Sequence, residues 1–365
     1  CSGWKPVSTP SMILPERVLM GVSRSGRLRR LFVGVIAVVA VCVGSCSTSE
    51  SGDDSVTSDA VSLDNCGRTV TVDAPPQRVV SLNQGSTEIL LSLGLADRMV
   101  GTATWTDPVK ADLAEANSTV PRLADNKPSL ESVLATEPDF VTASFGGTLG
   151  PGGVADRDQF AKLGVPSYLS PTDCVGRSDK SVNADGARSE PFTMDLVYRE
   201  IRELARIFGV GDRGDSLVSS LQQRYDDAAR GLNAEHVSLA FWFADIKTPY
   251  MAGCCGSSGV IARSVGARNV YADTTDEWPQ VSWESIADAD PTALVLADLS
   301  RRSIDGDALD SKIAFLESNP VTRELDAVRH RRYIVVNGAD MNPSIRTVDG
   351  IEKTAKALRQ WGLTG

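Results

Sequence analysis

Short apolar runs alternate with amphipathic stretches from residue 78 to residue 169, stop, and then begin again after residue 232. In the first round the spacing predicts strands at residues 78–82, 100–104, 139–144 and 166–169. Helices fall between them at 87–93, 108–116, 129–136 and 156–163. The second round predicts strands at 237–243, 269–271, 293–296 and 333–336, with helices at 259–265, 283–289, 321–328 and 345–361. Strands that alternate with helices build parallel sheets from βαβ units. Pro75 and Pro76 stand before the first strand, where a missing amide costs no ladder hydrogen bond.

Between the two rounds, residues 171–191 are rich in Asp, Ser, Gly and Arg and read as a long loop. Two helical stretches follow, at 194–208 and 212–232. In the first, Leu196, Ile201, Leu204, Ala205 and Phe208 recur at helical spacing. Gly209 and Gly211 stop it, and Asp212 suits the cap of the next. Arg213-Gly214-Asp215 reads as part of that helix start, not as an adhesion tripeptide. The expected fold class is therefore α/β: two Rossmann-like lobes with central parallel sheets, joined by a long rigid helix, with a ligand cleft between them. Residues 62–190 form the first lobe, 191–232 the helical linker and 233–365 the second lobe.

The amino-terminal part has a different composition. Arg24, Arg27, Arg29 and Arg30 precede an uncharged apolar run at 31–43, followed by Gly44, Ser45 and Cys46. Basic, apolar and small residues in that order mark a secretory signal, here residues 1–45. The run is shorter than the ~20 residues a membrane span needs. Met20 offers an alternative start, which would leave residues 1–19 as an upstream extension. Val43-Gly44-Ser45-Cys46 resembles a bacterial lipobox, so Cys46 is the expected lipidation site and the protein is expected outside the cytoplasm, anchored to the membrane. The polar, acidic residues 46–61 read as a flexible tether.

Charge and residue supply exclude several function classes. The whole chain carries 37 basic and 47 acidic residues, a formal charge of −10. Loss of residues 1–45 would leave 31 basic and 46 acidic residues, a charge of −15. Such a surface does not suit nucleic acid, which selects a basic face. The two histidines, His236 and His330, stand apart and belong to no cluster of Cys, Asp and Glu of the kind a metal site needs, so no protein-bound metal and no resident cofactor is expected. No Gly-x-Ser-x-Gly elbow and no His-containing triad is present. The Gly-rich run 146–150 lacks the Lys-Ser/Thr of a phosphate loop. An extracytoplasmic enzyme is thus the weaker alternative to a binding protein.

Four cysteines follow Cys46: Cys66, Cys174, Cys254 and Cys255. An even number outside the cytoplasm points to disulfides, with three pairings open and free buried thiols as the alternative. A bond between the adjacent Cys254 and Cys255 would be strained, so each is expected to pair with Cys66 or Cys174.

The lobes also share a local repeat. Ser129-Leu130-Glu131-Ser132-Val133 runs on to Pro138, and Ser282-Trp283-Glu284-Ser285-Ile286 runs on to Pro291. Each glutamate stands two residues after a candidate cap serine and seven before a proline, followed by an apolar strand. An acid in the first turn complements the helix dipole, which accounts for an acid but not for the same glutamate at the same offset in both lobes. These two stretches resemble the paired signature of the cobalamin and iron-siderophore family of periplasmic binding proteins. Further family-like runs are Arg78-Val79-Val80-Ser81-Leu82, Thr87-Glu88-Ile89-Leu90, Leu93-Gly94-Leu95 and Trp278-Pro279-Gln280-Val281-Ser282. The resemblance covers about residues 64–362. It implies the substrate-binding protein of an ABC importer, a monomer in which Glu131 and Glu284 dock onto arginines of the permease subunits. Glu88 is read instead as a helix-start acid inside the first lobe.

In two-lobed α/β proteins ligands bind beyond the carboxyl ends of the strands. The residues that follow the strands are Trp105 and Phe145 in the first lobe, and Phe243, Tyr250 and Trp278 in the second. The resemblance places aromatic ligand contacts near Trp105, Phe145, Phe243 and Trp278, and an arginine near the cleft, here Arg346. Packing is the competing role for each aromatic. An aromatic cleft suits a bulky metal chelate, the metal carried only within the ligand. Asp340-Met341-Asn342-Pro343 lacks the extra aromatic and basic residues of cobalamin-binding members. An iron-siderophore is therefore expected ahead of cobalamin, another corrinoid or haem.

Overall fold

The structure, a computed structural model, describes residues 60–178, 185–299 and 306–364. The signal segment, Cys46 and nearly all of the tether lie outside them. No helix among the described residues is long and apolar enough to cross a membrane.

A hairpin comes first: β1 (Val61–Asn65) pairs antiparallel with β2 (Arg68–Val72) through a two-residue turn at Cys66 and Gly67. Both turn residues have positive φ, 57° and 73°, the geometry that matches strand twist in tight hairpins. The hairpin begins inside the stretch expected to be tether. The buried Asn65 side chain fastens it to the lobe, donating to Leu169 O at 2.8 Å and accepting from Leu169 N at 2.8 Å.

The first lobe contains β3 (Val79–Ser81), α1 (Gln84–Ser92), β4 (Met99–Ala103), α2 (Ala114–Ser118), β5 (Arg122–Ala124), α3 (Leu130–Leu134), β6 (Phe140–Ala143), α4 (Arg157–Lys162) and β7 (Ser167–Leu169). Its sheet has the order β5-β4-β3-β6-β7, all parallel. A small antiparallel hairpin, β8 (Arg177–Ser178) and β9 (Ala187–Arg188), occupies the segment expected to be loop. Two linker helices follow, α5 (Met194–Ile207) and α6 (Gly211–Ala229). Within α6, Arg213 donates to Leu93 O and Gly94 O, which gives the Arg-Gly-Asp run a packing role.

The second lobe contains β10 (Ser238–Ala244), β11 (Tyr250–Met251), α7 (Ser257–Ser264), β12 (Arg268–Asn269), α8 (Trp283–Ala289), β13 (Ala293–Asp298), α9 (Leu309–Ser318), α10 (Asp326–Arg329), β14 (Tyr333–Asn337) and α11 (Thr347–Gln360). Strands β12, β10, β13 and β14 run parallel, and β11 adds an antiparallel edge to the far end of β10.

Both sheets are covered on both faces, and side chains alternate between the two layers as period-2 geometry requires. Leu239 and Phe241 of β10 enter a core shared by both lobes and the linker helices, whereas Ala240 and Trp242 enter a layer private to the second lobe. Val79 and Val80 divide in the same way between the shared core and the first lobe's own layer. The two α/β units are therefore fused by a continuous apolar core.

Charged groups reinforce that junction. Glu88 on α1 and Arg346 before α11 form a bidentate ion pair with side chains only 1% and 3% exposed. Lys110 of the first lobe meets Asp349 of the second at 2.6 Å, and Arg224 of α6 meets the same aspartate at 2.6 Å.

The expected union of Cys254 and Cys255 with Cys66 and Cys174 is not found: Cys66 is bonded to Cys174, and Cys254 to Cys255. Asn65 docks the β1–β2 turn beside the end of β7, which brings Cys66 and Cys174 to a Cα separation of 5.7 Å within the first lobe. Cys254 and Cys255 belong to the second lobe, where Cys254 N donates to Thr274 O and Cys255 O accepts from Phe192 N.

One buried acid makes stability depend on pH. Glu200 on α5 is enclosed, and burial pushes its pKa up to about 8, although a hydrogen bond from Ser170 opposes the rise. A carboxyl group with a pKa higher in the folded than in the unfolded chain stabilises fully at low pH. That stabilisation is lost as pH rises through the folded value. Glu200→Gln is expected to leave the melting temperature nearly unchanged at pH 5 and to raise it at pH 8.5, as measured by calorimetry. A variant that melts lower at pH 8.5 would refute this.

Candidate functional site: a cleft between the lobes

The carboxyl ends of β6 and β7 and of β10 face a cavity of about 1000 Å³ lined by both lobes. Its aromatic surface comes from residues at or just after strand ends. Strand β6 closes with Ala143, and Phe145 follows two residues later on the cavity wall. Asn83 fixes that turn: its side-chain oxygen accepts from Ser144 N at 2.9 Å and Phe145 N at 3.3 Å. Phe145 is 38% exposed, one of few large apolar residues of the described chain to be so open.

Across the cavity, Phe243 near the end of β10 packs on Trp278 with ring centroids 4.8 Å apart, and Tyr250 of β11 lies alongside. A buried lysine supports this wall. Lys312 of α9 donates to Ala297 O at 2.7 Å and to Phe243 O, tying together the ends of β13 and β10. The sequence pattern did not signal α9.

The third part of the wall is the β8–β9 hairpin, which crosses from the first lobe to the second. Arg188 N donates to Thr275 O at 2.9 Å, Glu277 N donates to Gly186 O at 3.0 Å, and Ala187 bridges to Asp276. The backbone of 274–277 lies so close to Gly253 that any Cβ there would collide with Asp276 O. Side chains continue the seam. Glu277 receives Arg188 at 2.7 Å and also pairs with Arg177, whose Nε lies 3.5 Å from Asp173. Arg188 lines the cavity, and its Nη1 is buried with no hydrogen-bond partner. Burial pushes the Asp173 carboxyl up, while Arg177 and the Gly146 amide oppose that rise; Asp185 is pushed up by burial and by Glu277. Among the described wall residues, Arg177, Arg188 and Lys247 stand against Asp173, Asp185, Asp245, Glu277 and Asp307.

The structure thus brings Phe145, Phe243, Tyr250 and Trp278 together around one cavity. Trp105 and Arg346 are placed elsewhere. Trp105 is buried beneath the Arg122 guanidinium, 4.6 Å from the ring, and its Nε1 donates to Thr102 Oγ1 at 3.3 Å. Arg346 is committed to Glu88 and Pro108 O, behind the Asn342-Pro343 turn that does line the cavity. Arg177 and Arg188 of the hairpin, and Glu277 opposite them, are cavity residues that no sequence motif marks. Their signal was faint: two arginines flanking a Gly in a polar loop.

Glu131 and Glu284 lie outside the cleft, exposed on the first turns of α3 and α8. Their local frames match. Ser129 Oγ accepts from Ser132 N at 3.1 Å, and Ser282 Oγ accepts from Ser285 N at 3.1 Å. Two residues beyond each glutamate, Val133 and Ile286 are fully buried and anchor the helix. Each helix begins after a strand's carboxyl end and leads to the amino end of the next parallel strand, so both first turns belong to the carboxyl side of their sheets. Hydrogen bonds from its own amide and from Ser129 hold the Glu131 carboxyl below its ordinary value.

Known proteins share this architecture. The chain is 24% identical over 305 residues to an uncharacterized ABC transporter substrate-binding lipoprotein, YvrC, of Bacillus subtilis, covering 81% of this chain and 84% of that protein. It is 24% identical over 234 residues to a vitamin B12-binding protein of Pectobacterium atrosepticum, covering 62% and 74% respectively. The crystal structure of an ABC-type Fe3+-hydroxamate transport system from Saccharomonospora viridis superposes with a TM-score of 0.65 at 27% identity, covering 82% of this chain and 98% of that one. The profile of the Periplasmic binding protein family matches residues 79–338, most of both lobes, and the chain belongs to that family.

Proposed function

We propose that this protein captures a bulky metal chelate, with an iron-siderophore as the leading candidate, between its lobes and delivers it to the permease of an ABC importer. The observation that carries this reading is the cleft itself: about 1000 Å³, with Phe145 on one lobe facing the Phe243–Trp278 pair on the other. That volume lies at the upper end of the range for small-molecule sites, and aromatic walls suit a large, partly apolar cargo. The likeness to a Fe3+-hydroxamate transport structure supports the ligand class, and the likeness to vitamin B12-binding proteins favours a corrinoid as the second reading. Cys46, at the end of the signal segment, carries the lipid that keeps the protein at the membrane. Glu131 and Glu284, one per lobe, register it on the permease.

Titration calorimetry of the purified protein with ferric hydroxamates, corrinoids and haem tests the reading, which requires saturable binding of at least one of them. Trp278→Ala is expected to weaken that binding by about tenfold or more, because a central aromatic anchor typically contributes about 2 kcal/mol, above the ~1.4 kcal/mol of a tenfold change. Unchanged affinity would place the ligand elsewhere.

A further inference from the structure

We propose that the cleft selects chelates of neutral or positive net charge and discriminates against anionic ones. This rests on the reading of the cleft as a chelate site and goes further, because it names the charge class of the cargo. The two arginines in the wall are already countered by two carboxylates: Arg188 pairs with Glu277, and Arg177 with Glu277 and Asp173. Asp245 and Asp307 take no cation among the described residues. Asp307 accepts from Asp245 N at 2.9 Å, and Asp245 accepts from Lys247 N and Thr248 N. The remaining cation that lines the wall, Lys247, is exposed, and Lys312 sits behind the wall with its ammonium on Phe243 O and Ala297 O. Three bases against five acids leave the described wall with a deficit of two charges. Residues 179–184 and 300–305, outside the described residues, hold three basic and two acidic side chains in sequence.

Inside a partly enclosed cavity such a deficit acts at a lower effective dielectric and with less salt screening than on an open surface. An anionic cargo would enter against it, whereas a cationic one would be drawn in. What the wall does offer an uncharged ligand is a donor. Arg188 Nη1 is buried without a partner, its charge already countered by Glu277, and a neutral carbonyl or hydroxamate oxygen suits it once the hairpin yields slightly.

Three ferric complexes of graded charge test this by calorimetry at one ionic strength: ferrioxamine B (a monocation), ferrichrome (neutral) and ferric enterobactin (a trianion). The expected order has the trianion at least tenfold weaker than the better of the other two. In Asp245→Asn/Asp307→Asn, which keeps the amide acceptors, the ratio should move toward the trianion by about tenfold. Lys247→Glu, an exposed change that tests the same field without touching Asp245 or Asp307, should move it the other way. A trianion that binds tightest, or ratios unmoved in folded variants, overturns the charge selection while the chelate reading stands. Binding of none of the three, nor of any corrinoid or haem, would sink the chelate reading and the selection with it.

Discussion

Arg346→Met is expected to lower the free energy of unfolding by about 3–5 kcal/mol, the cost typical of stranding one member of a buried ion pair. Glu88 would keep two neutral donors, the Gln84 side chain at 3.0 Å and Lys110 N at 3.2 Å, but lose the guanidinium that balances its charge. Because the pair joins α1 to the start of α11, the loss falls on the junction between lobes. The double variant Glu88→Gln/Arg346→Met should recover most of the stability, since no unpaired charge then remains buried. Urea denaturation of the three variants reads both effects. A loss below about 1 kcal/mol for Arg346→Met would mean that the pair does not hold the lobes. The same variant also separates structure from recognition: Arg346 does not line the cleft, so the folded variant should bind ligand with unchanged affinity.

Glu131→Arg combined with Glu284→Arg is expected to reduce ligand uptake by about tenfold or more while leaving ligand affinity unchanged. Each exposed ion pair contributes only ~0.2–1 kcal/mol, but reversal replaces attraction with repulsion at both lobes. The sum reaches the ~1.4 kcal/mol that corresponds to a tenfold change. Uptake of labelled chelate by cells that express the variant, together with calorimetry on the purified protein, makes the comparison. Equal loss of uptake and binding, or undiminished uptake, would contradict the docking role. Because both carboxylates are exposed and their serine caps stay in place, neither substitution should disturb folding.

Strands buried on both faces read as continuous apolar runs, so β3, β4, β6, β10 and β13 were legible in the sequence, and β14 was legible too although Val335 on its outer face is exposed. The capped repeats at Glu131 and Glu284 were legible for a related reason: Ser, acid and anchor residue all act within one helical turn. What escaped was set by contacts distant in sequence. Strands β1 and β2 alternate cleanly, with Val61, Leu63, Val70 and Val72 on one side, but their acidic neighbourhood resembles a tether and their anchor is Asn65 meeting Leu169. The β8–β9 hairpin exists because residues 274–277 of the other lobe pair with it, which no local pattern records. Arg346 departs from its expected place at the ligand for the same reason. An arginine after the last strand is within reach of either a ligand or Glu88, and only the fold decides between them. Trp105 follows its strand as Phe145 does, yet Arg122 covers it. Position after a strand was thus a sound guide to the cleft, but not to which aromatic enters it.

The disulfides carry a similar lesson. Cys254 and Cys255 are adjacent, and pairing them with distant partners would have required Cys66 or Cys174 to leave the first lobe, where the hairpin holds both.

A crystal structure of the protein grown with a ferric chelate that it binds tests the central claim most directly. The account predicts the chelate between Phe145 and the Phe243–Trp278 pair, with an oxygen turned toward Arg188. A chelate found outside that cleft, with those rings still bare, would contradict it.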